Sequence, residues 1–379
     1  MSGETERRET SPMVVGNRLK LGLFSFNCLG GCAITTAPDR WVPTWQNNIE
    51  VAQLAEEAGL EFLLPIGRWR GYGGASDFHG SSFEAMTWAA GLLANTRSCT
   101  VFGTIHAPMI HPIVAAKQMA TIDLLSQGRF GLNVVCGWNQ DEFEMFGREQ
   151  LEHDTRYAYG QEWLDVIRAI WREEAPVDFR GRFFELPGLV GNPKPHGGSE
   201  PLLMNAGYSP AGRAFAVRNC EFLLTSLIDL ESGRNDVETI SVAARHDHGR
   251  DIQLIATAYV VCRPTVEEAR EFHHYYANEH ADWEAADHLM ELAGMHAQFF
   301  PPGHYQQARE RFAGGHGMYP IIGDPEHVAD ELARIAGAGF AGVGFSLFDY
   351  AGELPYLRDE VLPRLEARGV RAAHRSPAR

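Results

Sequence analysis

The chain reads as an α/β protein built on a (β/α)8 TIM barrel, and three observations carry that reading. Short apolar runs alternate with amphipathic helical stretches along nearly all of the 379 residues. About eight of these strand–helix units can be counted, the number that closes such a barrel. No Gly-x-Gly-x-x-Gly turn follows the first apolar run, which weighs against the alternative of a doubly wound open sheet.

The elements follow in order. Residues 19–26 predict a first strand, and residues 45–58 a helix stopped by Gly59. Residues 61–65 and 99–105 predict the next strands, with helices over 83–93 and 112–125. Residues 128–136 predict a fourth strand, in which Leu132, Val134 and Val135 suit a sheet covered on both faces. A long helix is expected over 156–171. Strands are expected over 201–207, 221–226 and 252–262, with a helix over 210–218 between the first two. Asp324 and Pro325 mark the start of a helix over 325–337. A last strand over 342–348 precedes a closing helix. The stretch from about 265 to 318 exceeds one unit and predicts a helical insertion over the barrel mouth. The expected organisation is a flexible tail over 1–18, one barrel domain over 19–366 and a C-terminal tail over 367–379.

Composition narrows the function. Hydrophobic residues make up 45% of the chain, enough for a sizeable core, and the formal net charge of −16 argues against nucleic acid or an acidic membrane surface as partner. The polar N-terminus is no signal peptide, and no apolar stretch is long enough to span a bilayer. A soluble, cytoplasmic protein is expected. Cys28, Cys32, Cys99, Cys136, Cys220 and Cys262 are scattered and expected to be reduced thiols. The histidines at 273, 274, 280 and 288 lie among acidic residues in a pattern that fits a polar helix face better than a metal site.

Ligands of such barrels sit at the C-terminal ends of the strands. The residues gathered there are Asn27 to Gly31, Gly67 to Gly74, Thr104, His106, Asn133, Trp138, Glu142 and Asn205 to Pro210. Asn133 interrupts an apolar strand with an amide. It is either a core residue bonded to neighbouring backbone or a group facing a ligand. Ser209 can cap a helix that begins at Pro210, which gives an anion site. Arg156 and Tyr157 can complete it with a guanidinium and a phenol. No nucleophile–base set, carboxylate pair or metal motif stands out. The basin is aromatic and glycine-rich with one phosphate end, and suits a cofactor that carries the reactivity itself.

Several blocks then resemble one family, the bacterial luciferase-like flavin-dependent monooxygenases. Within it the chain is similar to the pyrimidine monooxygenase and dimethylsulfone monooxygenase subgroup. The blocks are Arg70-Gly71-Tyr72-Gly73-Gly74, residues 117–123 (KQMATID), residues 128–138, Glu152 to Tyr157 and Asn205 to Ser209. The resemblance runs over about residues 19–362. It implies a barrel that binds FMN as FMNH2 from a separate NAD(P)H:flavin reductase, with O2 as co-substrate and a small organic molecule as substrate. It implies a flavin peroxide, at N5 or C4a, in a pocket of Thr104 and Asn133. It places Gly67 and Arg68 at the flavin edge, Asn133 near the ring, Glu142 beside the cofactor, and Arg156, Tyr157 and Ser209 at the phosphate. It also implies a homodimer or homotetramer. The family carries other side chains at Gly67, Arg68 and Trp69, and the His106-Ala107-Pro108-Met109 stretch differs too. Trp69, His106 and Trp138 are the expected substrate-facing positions, and the resemblance does not carry the substrate. An F420-dependent hydride-transfer enzyme and a non-catalytic flavin-binding protein are the alternatives on the same barrel.

Overall fold

The structure, a computed structural model, describes residues 11–14, 16–299 and 304–373. Eight parallel strands close on themselves. They are β1 (Lys20–Phe24), β2 (Phe62–Leu64), β3 (Thr100–His106), β4 (Phe130–Val135), β5 (Leu202–Asn205), β6 (Phe222–Ser226), β7 (Gln253–Cys262) and β8 (Gly342–Ser346). Each pairs with the next in chain order, and β8 pairs with β1 (Lys20 opposite Gly342) to complete the ring. The predicted barrel is therefore the observed one.

Local chemistry sets the element ends. β1 stops at Phe24 because Ser25 turns the chain with φ 72°. β4 begins after two left-handed residues, Gln127 and Gly128, so the strand is shorter than its apolar run. The first helix, α1 (Trp45–Glu57), is capped by Thr44, whose hydroxyl accepts from Asn47 N while Thr44 N donates to Asn47 Oδ1. Helices α2 (Ala85–Asn95) and α3 (Pro112–Leu125) pack on β3 and β4. Pro325 opens its helix (Pro325–Gly337) behind the Asp324 cap, as the sequence predicts.

Alternation along each strand sorts the barrel into an outer and an inner face. Leu21, Leu23, Leu63, Val101, Leu132 and Val134 point outward into the core shared with the helices. Phe62, Phe102, Leu202, Phe222 and Ile255 point inward and fill the N-terminal end, with Met13 packed against them. At that same end Arg371 is buried against Glu61 at 2.8 Å. The polar inner-face residues sit higher. Thr104 lies two residues above Phe102 and Asn133 two above Gly131, and the two are opposite one another in the β3–β4 register.

Four segments have no counterpart among the predicted elements: the short helix α4 (Gln140–Met145), an antiparallel hairpin (Val177–Arg180 with Glu185–Leu189), a helix over Leu230–His248 and a strand over Tyr319–Gly323. The stretch after β7 forms helices Val266–His274, Trp283–Leu292 and His304–Gly315. It returns as a ninth strand, Tyr319–Gly323, which pairs parallel with the upper half of β7. Among the described residues no helix is long and apolar enough to cross a membrane.

Candidate active site

The mouth of the barrel gathers most of the predicted site residues. Thr104 and Asn133 are both buried on the inner wall, joined by a hydrogen bond from Asn133 Nδ2 to Thr104 Oγ1 at 3.2 Å. The Thr104 hydroxyl donates in turn to the Pro65 carbonyl at 2.8 Å. Gly67, just past β2, lies against this pair. A Cβ added there would stand 3.0 Å from Thr104 Cγ2 and 3.0 Å from His106 Cε1, so the chain passes here only as glycine without displacing them.

A buried ion pair stands beside them. Arg68 Nη1 donates to Glu142 Oε1 at 2.8 Å, with both side chains almost fully enclosed. The same oxygen accepts from Trp69 N at 2.9 Å, so Glu142 ties the loop after β2 to α4. The Arg68 guanidinium lies 4.8 Å from the Tyr72 ring centre and 5.6 Å from that of Trp138. His106, at the end of β3, places Nε2 3.8 Å from Glu142 Oε2. Burial depresses the His106 pKa to about 4, with the Glu142 carboxylate opposing and the Arg68 cation adding to the shift, so its imidazole is neutral at pH 7. Trp69 and Trp138 are partly exposed at the rim, and a cleft of about 210 Å³ opens between Trp69, Thr104, His106 and Ile110.

The second corner lies where α5 (His153–Arg172) meets the start of α6 (Pro210–Asn219). Ser209 Oγ accepts from Gly212 N at 3.2 Å, the expected cap. The Tyr157 hydroxyl lies over Gly212, where an added Cβ would come within 2.6 Å of it. Burial raises the Tyr157 pKa, so the hydroxyl keeps its proton. The helix bearing Tyr157 starts earlier than the sequence predicts, at His153, because Glu152 caps it through Asp154 N and Thr155 N. Arg156 is thus inside its first turn, and Nη1 donates to the Gly137 carbonyl at 2.5 Å. Tyr157 and Ser209 are together, while Arg156 approaches from the end of β4.

Sequence reasoning missed an aromatic–histidine stack behind Arg68. Tyr72, Phe78, His79 and His316 pack within about 6 Å of one another, His79 and His316 nearly parallel at 5.6 Å. His288 Nδ1 bonds the Tyr72 carbonyl at 2.8 Å. His288 and His316 come from the insertion, more than 200 residues from Tyr72, and no local pattern announces that contact. Among the described residues, several buried polar atoms in this region have no hydrogen-bond partner: Asn133 Oδ1, Arg68 Nε, Glu142 Oε2, Tyr72 Oη, His316 Nε2 and Arg156 Nε. Such atoms cost free energy in an otherwise satisfied protein and mark where a ligand's polar groups belong. All six cysteines are free and buried, and among the described residues no group of three His, Cys, Asp or Glu side chains could hold a metal ion.

The chain is similar to known proteins over most of its length. A family model described as luciferase-like monooxygenase matches residues 19–342. The chain is 30% identical over 354 residues to an FMNH(2)-dependent dimethylsulfone monooxygenase of Pseudomonas fluorescens (strain Pf0-1), covering 91% of this chain and 95% of that protein. It is 28% identical over 358 residues to the pyrimidine monooxygenase RutA of Caulobacter vibrioides (strain NA1000 / CB15N), covering 92% and 99%. The crystal structure of riboflavin lyase (RcaE), with modified FMN and riboflavin, shares the fold with a TM-score of 0.84 at 23% identity over 95% of this chain and 94% of that one.

The buried neutral histidines set an acid limit. Burial holds both His106 and His316 at about 4, below the value near 6.5 of an unfolded chain. The unfolded state therefore takes up protons first, and the stability these residues contribute is complete above pH 6.5 and lost between pH 6.5 and 4. The melting temperature should fall over that interval at constant ionic strength. His316→Asn should flatten the dependence by up to about 1.4 kcal/mol per pH unit. A parallel curve for the variant would refute the assignment.

Proposed function

The chain belongs to the luciferase-like monooxygenase family, and from that premise we propose that it is the oxygenase of a two-component system. It takes reduced FMN from a separate NAD(P)H:flavin reductase and transfers one oxygen atom of O2 to a small organic substrate. A cytoplasmic location fits that dependence on a diffusing reduced cofactor. The observation that carries the reading is the pairing of a capped, phenol-flanked helix start with a patch of buried, unpartnered polar atoms at the barrel mouth. The first suits a phosphate and the second a polar ring system, which are the two ends of FMN.

Bound reduced FMN supplies the electrons that activate oxygen. The protein's own part is placement and exclusion of water. Ser209, Tyr157 and the N–H groups opening α6 hold the phosphate, and Arg156 adds its charge from the end of β4. Gly67 lets the chain pass close to Thr104 and His106, and Arg68 and Glu142 would stand at the edge of the ring. Thr104 and Asn133 would line the oxygen pocket beside the ring, with the second Asn133 N–H able to donate to a polar group held there. Trp69, His106 and Trp138 face the substrate. His106, being neutral, offers a hydrogen bond without selecting for an anion.

A coupled assay tests this reading. The purified protein, FMN, NADH and a flavin reductase are combined under labelled O2 with a panel of neutral sulfones, pyrimidines and other small heterocycles. One labelled oxygen atom should appear in a product, and only when the reductase is present. Rapid NADH oxidation by this chain alone, or no labelled product across the panel with tightly bound FMN, would count against it.

The phosphate end has its own test. Arg156→Ala removes a charge-assisted contact of roughly 1.5–3 kcal/mol, so the dissociation constant for FMN should rise at least about tenfold. An unchanged constant would remove Arg156 from the site.

Assembly is the last part of the proposal. Ile113, Val114, Leu124 and Leu125 of α3 are exposed apolar residues, which supports the pairing of two or four copies. Light scattering at micromolar concentration should give a multiple of 42.1 kDa; the single-chain mass would contradict it.

A further inference from the structure

We infer that Asp282, in the insertion, is a positioning residue: its carboxylate clasps the loop after β2 and so sets Arg68 and Trp69 at the barrel mouth. The consequence for the reaction rests on the reading that this loop faces the substrate.

The glycines of the Arg70-Gly71-Tyr72-Gly73-Gly74 block serve a tight turn. Tyr72 N donates to the Phe78 carbonyl at 2.8 Å, and Phe78 N to the Gly73 carbonyl at 3.1 Å. Gly73 and Gly74 take left-handed backbone, at φ 73° and 69°. Gly74 also leaves a space that a distant residue fills. A Cβ there would stand 2.4 Å from Asp282 Oδ2. That oxygen accepts from Ser76 N at 2.6 Å, across a separation of 206 residues, and Asp282 and Ser76 are both buried.

Asp282 has a second task. Its Oδ1 accepts from Ala285 N at 3.3 Å and caps helix Trp283–Leu292. Donors face both oxygens, so a carboxylate answers them where an amide would turn its own N–H toward one. The backbone of Asp282 is anchored as well, its N–H donating to the Ile34 carbonyl in the loop after β1 at 3.0 Å. The helix that Asp282 caps packs Ala285, Ala286 and Leu289 with Ile34, Tyr72 and Phe78 in a small apolar cluster. His288 of that helix holds the Tyr72 carbonyl at 2.8 Å; a carbonyl only accepts, so Nδ1 donates. The insertion thus grips the loop at Tyr72 and Ser76, and Glu142 grips it at Arg68 and Trp69. With both ends fixed, Arg68 and Trp69 have one place. Release of the Ser76 end frees the turn to swing about the Glu142 bonds.

Asp282→Ser separates the two tasks. Serine still caps a helix, but its single oxygen cannot serve Ser76 as well. In protein labelled with 5-fluorotryptophan, the Trp69 resonance, assigned by its loss in Trp69→Phe, should shift or broaden in Asp282→Ser. The resonances of Trp163 and Trp171, on α5, should stay in place. Hydrogen exchange at the Ser76 amide should quicken at least about tenfold, as loss of one hydrogen bond to a charged group implies. In the coupled assay, kcat/KM for any sulfone or pyrimidine that the wild type oxygenates should fall about tenfold or more, with the dissociation constant for FMN within about threefold. Gly74→Ala approaches the contact from the other side. It should lower the melting temperature less in the Asp282→Ser background than in the wild type, because the strain of a left-handed alanine is common to both and only the clash with the carboxylate differs. An unmoved Trp69 resonance in folded Asp282→Ser, or equal costs of Gly74→Ala in the two backgrounds, would overturn the clasp. A moved resonance with wild-type kcat/KM would overturn the positioning role. If Asp282→Ser does not fold, the Trp69 resonance of Gly74→Ala decides. Absence of labelled product from the wild type would count against the monooxygenase reading alone, and the resonance would still decide the clasp.

Discussion

Closure of the eight strands is the constraint from which the site follows. A closed parallel sheet has no free edge, and every strand contributes alternate residues to a single interior. Aromatic and aliphatic side chains such as Phe62, Phe102 and Phe222 fill the lower part of that interior. Polar groups have room only above them, where the side chains of β3 and β4 change from Phe102 and Gly131 to Thr104 and Asn133 within two residues. The ring of backbone bonds fixes the height of each position. Thr104 can therefore reach the Pro65 carbonyl at the end of β2 and the Asn133 amide on β4 together.

Charge at the mouth is arranged differently. Arg68 and Glu142 are both removed from water, an arrangement whose desolvation is costly unless geometry and further hydrogen bonds compensate. The compensation is visible in the Trp69 N–H on Glu142 and in the aromatic rings against Arg68. Neutral His106 adds no charge. The interior is thus rich in polar atoms and balanced in charge, although the whole chain is strongly acidic.

The eight barrel strands were readable because apolar runs and helix signals are local. Pro112, Ser209 with Pro210, and Asp324 with Pro325 mark helix starts that the structure reproduces within a few residues. Where those signals were absent, reading stopped. Helix Leu230–His248 is largely polar and exposed, with few buried positions to give it an apolar stripe. The Glu142 turn is only six residues long. In the site, Thr104 and Asn133 were recognisable as polar interruptions near strand ends. The His316–His79–Tyr72 stack was not, because it joins residues from opposite ends of the chain and exists only once the insertion folds back.

The route of that insertion separates two inheritances. β7 is bound to β6 through Gln253–Thr257 and to β8 through Ile255–Tyr259, so its lower part serves the ring. The departing segment returns to the same strand, at Ala258–Cys262. Its length is therefore independent of barrel closure, and it can be rewritten without disturbing the register below. His288 and His316 belong to this replaceable part, while Thr104 and Asn133 belong to the frame. Grafting residues 263–318 from one relative onto another would therefore exchange His288 and His316 while leaving Thr104 and Asn133 in place on the frame.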